Sequence, residues 1–453
     1  MKEKMNSSRR NFLRLSTGGV LSAAGMARFG MMNAYAQQAT DYKALVCIFL
    51  FGGNDGHNMV VPQVSSEYNA YKSIRGSLAL PGTDAKLLAV TAKNGTPYAL
   101  SDGLASVHPL WAQQKLAVVA NVGNLVQPTT RAQFLANAVP LPSNLFSHSD
   151  QVLQMQTATP SGSGGTGWAG RVADSVTAMN GAATFPVSIS MSGPQLFCAG
   201  NAVQSASIIP GFDMQPYGMD IWPDTAAAAR LQGLQEVISM DSGLAVVQAA
   251  NKVRQDAMAL SAMLKSASST SPLSTVFPGT QLGDQLKEVA KVIKLRTQTG
   301  LKRQVFFCSL GGFDTHGSQS WQHWDLLKQV GAAMSAFYAA TQELGVADQV
   351  TTFTESEFGR TLQPSGQGSD HGWGSHYLVL GGAVQGGDLY GQFPVMALGG
   401  PNDTGSRGAL LPSTSLDQYG ATMARWFGLD DTALDLVFPN LKNFTTRNLG
   451  FLG

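Results

Sequence analysis

The pattern of apolar and polar positions alternates between strand-like and helix-like periods. Residues 44–51 (ALVCIFLF), 116–122 (LAVVANV) and 304–310 (QVFFCSL) are apolar runs of strand length, the pattern of strands buried on both faces of a parallel sheet. Residues 185–191 (FPVSISM) and 349–354 alternate like strands, and residues 377–380 add a short one. Residues 321–344 read as an amphipathic helix, and residues 415–427 as a last helix capped by Ser415. Residues 78–89 and 98–102 read as irregular excursions. The stretch from about 200 to 300 differs in character, with three long helical patterns and a Ser/Thr/Pro linker at 266–278. It holds no histidine and reads as a helical insertion on an α/β sheet, concerned with stability and substrate access.

Chemistry-bearing residues gather where the apolar runs end, which is where open parallel sheets leave a crevice. The first run ends in GGNDGHN and presents Asp55; the run at 304–310 ends in GGFDTHGSQ, with Asp314 and His316. The run at 349–354 empties into TESEFGRTLQPSGQGSDHGWGSH, which carries Glu355, Glu357, Arg360, Asp370, His371 and His376. A carboxylate and two imidazoles in one loop form a donor set suited to Zn²⁺ or Mn²⁺. Residues 144–156 (NLFSHSDQVLQMQ) open a helix that Ser147 or Ser149 could cap, and a hydroxyl there is also placed to attack an anion at the helix amino end. Arg360 is either the ion-pair partner of Glu355 or Glu357, or a planar clamp on phosphate or sulfate oxygens.

The amino terminus speaks for export. SRRNFL at residues 8–13 is a twin-arginine pattern, followed by a modestly apolar stretch and by Ala34-Tyr35-Ala36, a small-x-small cleavage site. Residues 1–36 are therefore read as a signal peptide and residues 37–453 as one exported domain, periplasmic or secreted. No later segment offers the ~18 uninterrupted apolar residues of a membrane span. Charged residues are only 13% and the net charge is +1, so nothing recommends nucleic acid or an anionic membrane as a partner. Cys47, Cys198 and Cys308 are too few for a disulfide framework.

Taken together, LVCIFLFGGNDGHNMVVP, FSHSDQ, GTGWAGRVAD, GGFDTH, TESEFGRT, DHGWGSHYLVLGGAV and VFPNLKNF resemble the exported bacterial family known as domain of unknown function fifteen-oh-one. That family is in turn similar to the alkaline phosphatase and sulfatase superfamily. The resemblance implies an α/β fold of three layers, a mostly parallel central sheet flanked by helices, carrying the helical insertion. It implies one or two divalent ions, Zn or Mn, held by Asp55, Asp314, His316, Asp370, His371 and His376. It casts Ser147 as nucleophile, and the substrate as a small anionic phosphate or sulfate ester. The Cys-x-Pro-x-Arg signature of formylglycine sulfatases is absent. The alternative is a non-catalytic exported binding or assembly protein that keeps a degenerate form of the fold.

Overall fold

A computed structural model describes residues 41–183, 185–211, 218–219, 221–270 and 272–453; the expected signal peptide lies outside them. In chain order the strands are β1 (Lys43–Leu50), β2 (Val60–Pro62), β3 (Leu87–Thr91), β4 (Pro97–Ser101), β5 (Leu116–Gly123), β6 (Ser188–Ser190) and β7 (Ala206–Ser207). There follow β8 (Arg303–Leu310), β9 (Val350–Glu355), β10 (Arg360–Ser365), β11 (Gly368–His371), β12 (Ser375–Gly381), β13 (Asp388–Tyr390) and β14 (Thr414–Ser415).

The main sheet has nine strands in the order β13-β5-β12-β9-β1-β8-β6-β7, with β14 beside β5. β1 pairs in parallel with both β8 and β9, and every residue of β1 after Lys43 is buried. Side chains alternate across a strand, so Val46, Ile48 and Leu50 enter one core while Leu45, Cys47 and Phe49 enter the other. The first core is covered by the helices Gln281–Lys294 and Gln319–Glu343. The second is covered by Trp168–Val176 and Leu416–Phe427, whose Ser415 cap closes a capping box with Gln418. The result is three layers, helices on either face of a mostly parallel sheet. Full burial of each Leu, Val or Phe in these cores contributes about 1.5–3 kcal/mol.

Two expectations need correction. Residues read as irregular form β3 and β4, which pair with β2 in a separate three-stranded antiparallel sheet. In β3 only Leu87 and Val90 are buried, a spacing of three that breaks the strict alternation of a strand, so the strand signal there is weak. The helix Gln281–Lys294, placed by sequence in the insertion, belongs to a flanking layer because Leu282, Leu286, Val289, Val292 and Ile293 all pack into the core. Of the helices before it, Asp224–Ser239 buries only Ile238, while Ala245–Thr270 sends Leu260 and Leu264 to that core. Among the described residues no helix is long and apolar enough to cross a membrane.

β12 is antiparallel to β9 and β5. Its amino end therefore lies at the same edge as the carboxyl ends of β1, β8 and β9, and the loops bearing the candidate residues meet there.

Candidate metal centre

Close approach of two of these loops depends on a glycine. Gly52 has φ +120°, and a Cβ there would lie 2.2 Å from the Asp314 amide nitrogen. No other residue lets the loop after β1 press against the loop after β8.

His148 is the first residue of the helix His148–Thr157, and its ring reaches from that helix to the sheet edge. His148 Nδ1 lies 2.9 Å from Glu357 Oε1. A carboxylate only accepts, so Nδ1 carries a hydrogen, and in the neutral ring Nε2 presents its lone pair. His371, at the end of β11, is held in the same tautomer, its Nδ1 donating to the Phe146 carbonyl at 2.8 Å. Both Nε2 atoms lie 3.5 Å from Asp314 Oδ1. Ligand atoms of His148, Asp314 and His371 all fall within 4.8 Å of one another. His316 stands beside them, its Nε2 3.1 Å from Asp314 Oδ1 and 3.0 Å from His371 Nε2.

Glu357 is buried and fully engaged. Its Oε1 also accepts from the Gly52 amide at 2.8 Å, and its Oε2 from the Ser356 hydroxyl at 3.1 Å. Its hydrogen bond raises the His148 pKa, against a smaller opposing effect of burial. Burial depresses the pKa of His371. Burial also works against ionisation of Asp314, but the Arg360 hydrogen bond and charge, with His316 and His148, outweigh it and hold the carboxyl below its ordinary value.

The predicted residues divide sharply. Asp314, His316 and His371 come together here, and Asp370 borders them with its Oδ1 3.5 Å from His316 Nδ1 while its other oxygen pairs with Arg407. Asp55 is elsewhere: it is fully buried, ion-paired to Arg75 and hydrogen-bonded by Gln319. Its charge is already compensated by a guanidinium inside the protein, which argues against its use as a ligand. His376 is also wholly buried, stacked on Phe393 with ring centroids 4.9 Å apart. Its Nδ1 accepts the Asn121 amide hydrogen at 3.0 Å, so Nε2 carries the proton and has no lone pair to give a metal.

Arg360 is not a clamp open to substrate. Its side chain is fully buried and donates to the carbonyls of Gly53 (3.2 Å), Ser369 (2.8 Å), Gly52 (2.9 Å) and Phe313 (3.2 Å), besides Asp314. It ties three loops together and orients Asp314. Ser147 precedes the helix as predicted, but its hydroxyl hydrogen-bonds Asp150 and lies 3.2 Å from Ser149 Oγ, not at the histidines. Glu355 shares the face of β9 that carries Phe353, and burial raises its pKa well above the usual range, against a smaller lowering by Trp168.

The family model matches residues 42–434. The chain belongs to that family, described as protein of unknown function (DUF1501). No curated protein matches it significantly. Among solved structures, this DUF1501 chain is similar to the PsFucS1 sulfatase from Pseudoalteromonas sp., at 9% identity and a TM-score of 0.33, over 89% of this chain and 72% of that one.

Two members of the centre escape sequence reasoning. In FSHSDQ the serines drew notice and His148 between them did not, although a histidine opening a helix is as conspicuous as its neighbours. Glu357 was noted as loop chemistry, but nothing in sequence ties it to a residue 209 positions away.

Proposed function

We propose that this chain is an exported, metal-dependent hydrolase of phosphate or sulfate esters, with an alkaline-phosphatase-like arrangement of its sheet. The observation that carries the reading is the convergence of His148 Nε2, Asp314 Oδ1 and His371 Nε2 within 4.8 Å. With both Nδ1 atoms committed as donors, each ring in its neutral form turns its Nε2 lone pair toward a carboxylate oxygen. His148 Nε2 is buried and has no hydrogen-bond partner. A cation among these atoms resolves the repulsion, and two imidazoles with one carboxylate fit Zn²⁺ or Mn²⁺. Glu357 and the Phe146 carbonyl are the outer-shell acceptors that such ligating histidines use.

When bound, the ion supplies Lewis acidity to an anionic ester. The chain's own residues do the rest. Arg360 holds Asp314 and the loops after β1 and β8 in register, and Glu357 fixes the ring of His148. His316, whose Nε2 faces the cluster and whose Nδ1 faces Asp370, can pass a proton between the two sides of the site. Asp314 and His316 remain about half exposed, so a small substrate reaches the cluster from solvent.

The test is elemental analysis of the mature folded protein, followed by assay of the loaded protein on aryl phosphate, phosphodiester and aryl sulfate. Bound Zn or Mn with turnover of one class is the expected result. Bound metal with no turnover of any class points to the binding protein instead, and absence of metal removes the centre altogether.

A further inference from the structure

The helix Ala245–Thr270 carries one apolar stripe, Val246, Ala250, Val253, Ala257, Leu260 and Leu264, whose alternating spacing of four and three residues is that of a helix–helix seam. The protein body covers only half of it. Leu260 and Leu264 are 3% and 7% exposed in the first core, whereas Val246 and Val253, on the same face, are 82% and 64% exposed. The neighbouring helix Asp224–Ser239 does not fill the gap: it buries only Ile238, whose carbonyl accepts from Gln255 Nε2 at 3.1 Å. The turn joining the two helices is tied down, because Asp241 accepts from the Gly243 amide at 2.8 Å and from the Gln248 side chain. Val237, Met240 and Leu244 continue the exposed apolar surface around that turn.

Charge decides which occupant fits. Between residues 231 and 251 the only charged side chains are Glu236 and Asp241, which disfavours an anionic membrane surface. Lys252 is answered by Asp256 within its own helix. Arg254 is exposed beside Val253 and has no ion-pair or hydrogen-bond partner among the described residues. Each helical hairpin thus offers an acid at its tip and an unanswered base further down the same stripe.

We infer that a second copy of this chain docks here, the two hairpins packing antiparallel about a two-fold axis. Such a contact needs a self-complementary surface. Laying Val246 of one copy against Val253 of the other makes Ala245 the register mate of Arg254. Gln248 holds Asp241 near that first turn, so each tip acid meets the Arg254 of the other copy. One arrangement covers the open half of the stripe and answers the lone guanidinium. The inference is independent of the hydrolase reading.

The experiment uses the full mature chain. Sedimentation from about 1 to 200 µM is expected to show a monomer–dimer equilibrium, with a Kd on the order of 10 µM for an interface this small. Val246→Asp with Val253→Asp, at two exposed positions whose change empties no core, should abolish the dimer over that range and leave circular dichroism unchanged. Arg254→Glu should weaken association by about tenfold, since two attractions become two repulsions. Cysteine pairs read the register, the native Cys47, Cys198 and Cys308 all being buried. In the inferred register the two copies of position 246 lie about 10 Å apart along the helix axis, too far for a disulfide. Under mild oxidation a mixture of Val246→Cys and Val253→Cys proteins should therefore link across chains, and neither protein alone should. A chain that stays monomeric throughout, a dimer untouched by the double aspartate variant, or links forming in Val246→Cys alone as readily as in the mixture overturns the inference. So does binding of the wild-type monomer to phosphatidylcholine vesicles that the double variant loses, which would assign the face to a membrane. If the double variant does not fold, the cysteine mixture decides in its place.

Discussion

His148 and Glu357, 209 residues apart in sequence, are joined by a hydrogen bond of 2.9 Å between the ring Nδ1 and a buried carboxylate. That bond fixes the orientation of the His148 ring, and with it the geometry of the candidate three-ligand cluster. Glu357→Gln keeps the shape but offers an amide that can donate as well as accept. Metal affinity should fall about 10–100-fold, as for outer-shell partners of ligating histidines, measured by competition with a chelator. An unchanged affinity would mean that Glu357 does not orient the ring.

Asp55 and Arg75 form a fully buried ion pair apart from the cluster. Asp55→Asn leaves the guanidinium without its charge, so stability should drop by about 3–5 kcal/mol, read from denaturant unfolding. Metal content per folded molecule should stay at the wild-type value; a variant that folds normally and loses its metal would return Asp55 to the ligand set.

The hydroxyl of Ser147 is bound to Asp150. If the proposed hydrolase reading holds, water and not Ser147 is the expected nucleophile, and Ser147→Ala should retain turnover within about tenfold while giving up no more than a cap, ~1 kcal/mol. A loss of activity beyond about a thousandfold, with metal and folding intact, would restore the serine as nucleophile.

Burial depresses the pKa of His376 to about 3. The unfolded chain takes up this proton near the ordinary histidine value, about 6.5. The neutral ring therefore contributes stability in full above pH 6.5, and that stability is lost as pH falls from there toward 3. His376→Gln should reduce proton uptake on unfolding at pH 5 by close to one, measured by the pH dependence of unfolding free energy. Equal slopes for variant and wild type would show that the ring is not held neutral.

Arg9 and Arg10 stand before the weakly apolar leader. Replacing both with Lys should strand a longer precursor inside the cell, seen by fractionation and by mass. A double variant that still matures after Ala36 would falsify the twin-arginine reading.

The sequence by itself determined the layered α/β class, the buried strands of the central sheet and the edge at which chemistry gathers. Uninterrupted apolar runs such as residues 44–51 can only be buried on both faces, and the glycines that follow them let polar loops turn out of the sheet. Asp314 and His316 were legible because they lie within a few residues of such an end, and Asp370 and His371 because they set a carboxylate beside an imidazole in the polar stretch that follows another. Which side chains meet was decided by the tertiary structure. Asp55 follows a buried strand as Asp314 does, yet it turns inward because Arg75, on a helix that nothing in the sequence ties to it, waits there as a counter-ion. His376 sits five residues from His371 and stays out of the candidate cluster because the Asn121 amide of a neighbouring strand fixes its tautomer. His148 enters only because the start of its helix lies within hydrogen-bonding reach of Glu357, just past β9 and anchored by the Gly52 amide. A periodic pattern reports how deeply a residue is buried; partner and protonation state depend on contacts between segments tens to hundreds of residues apart, which no local spacing encodes.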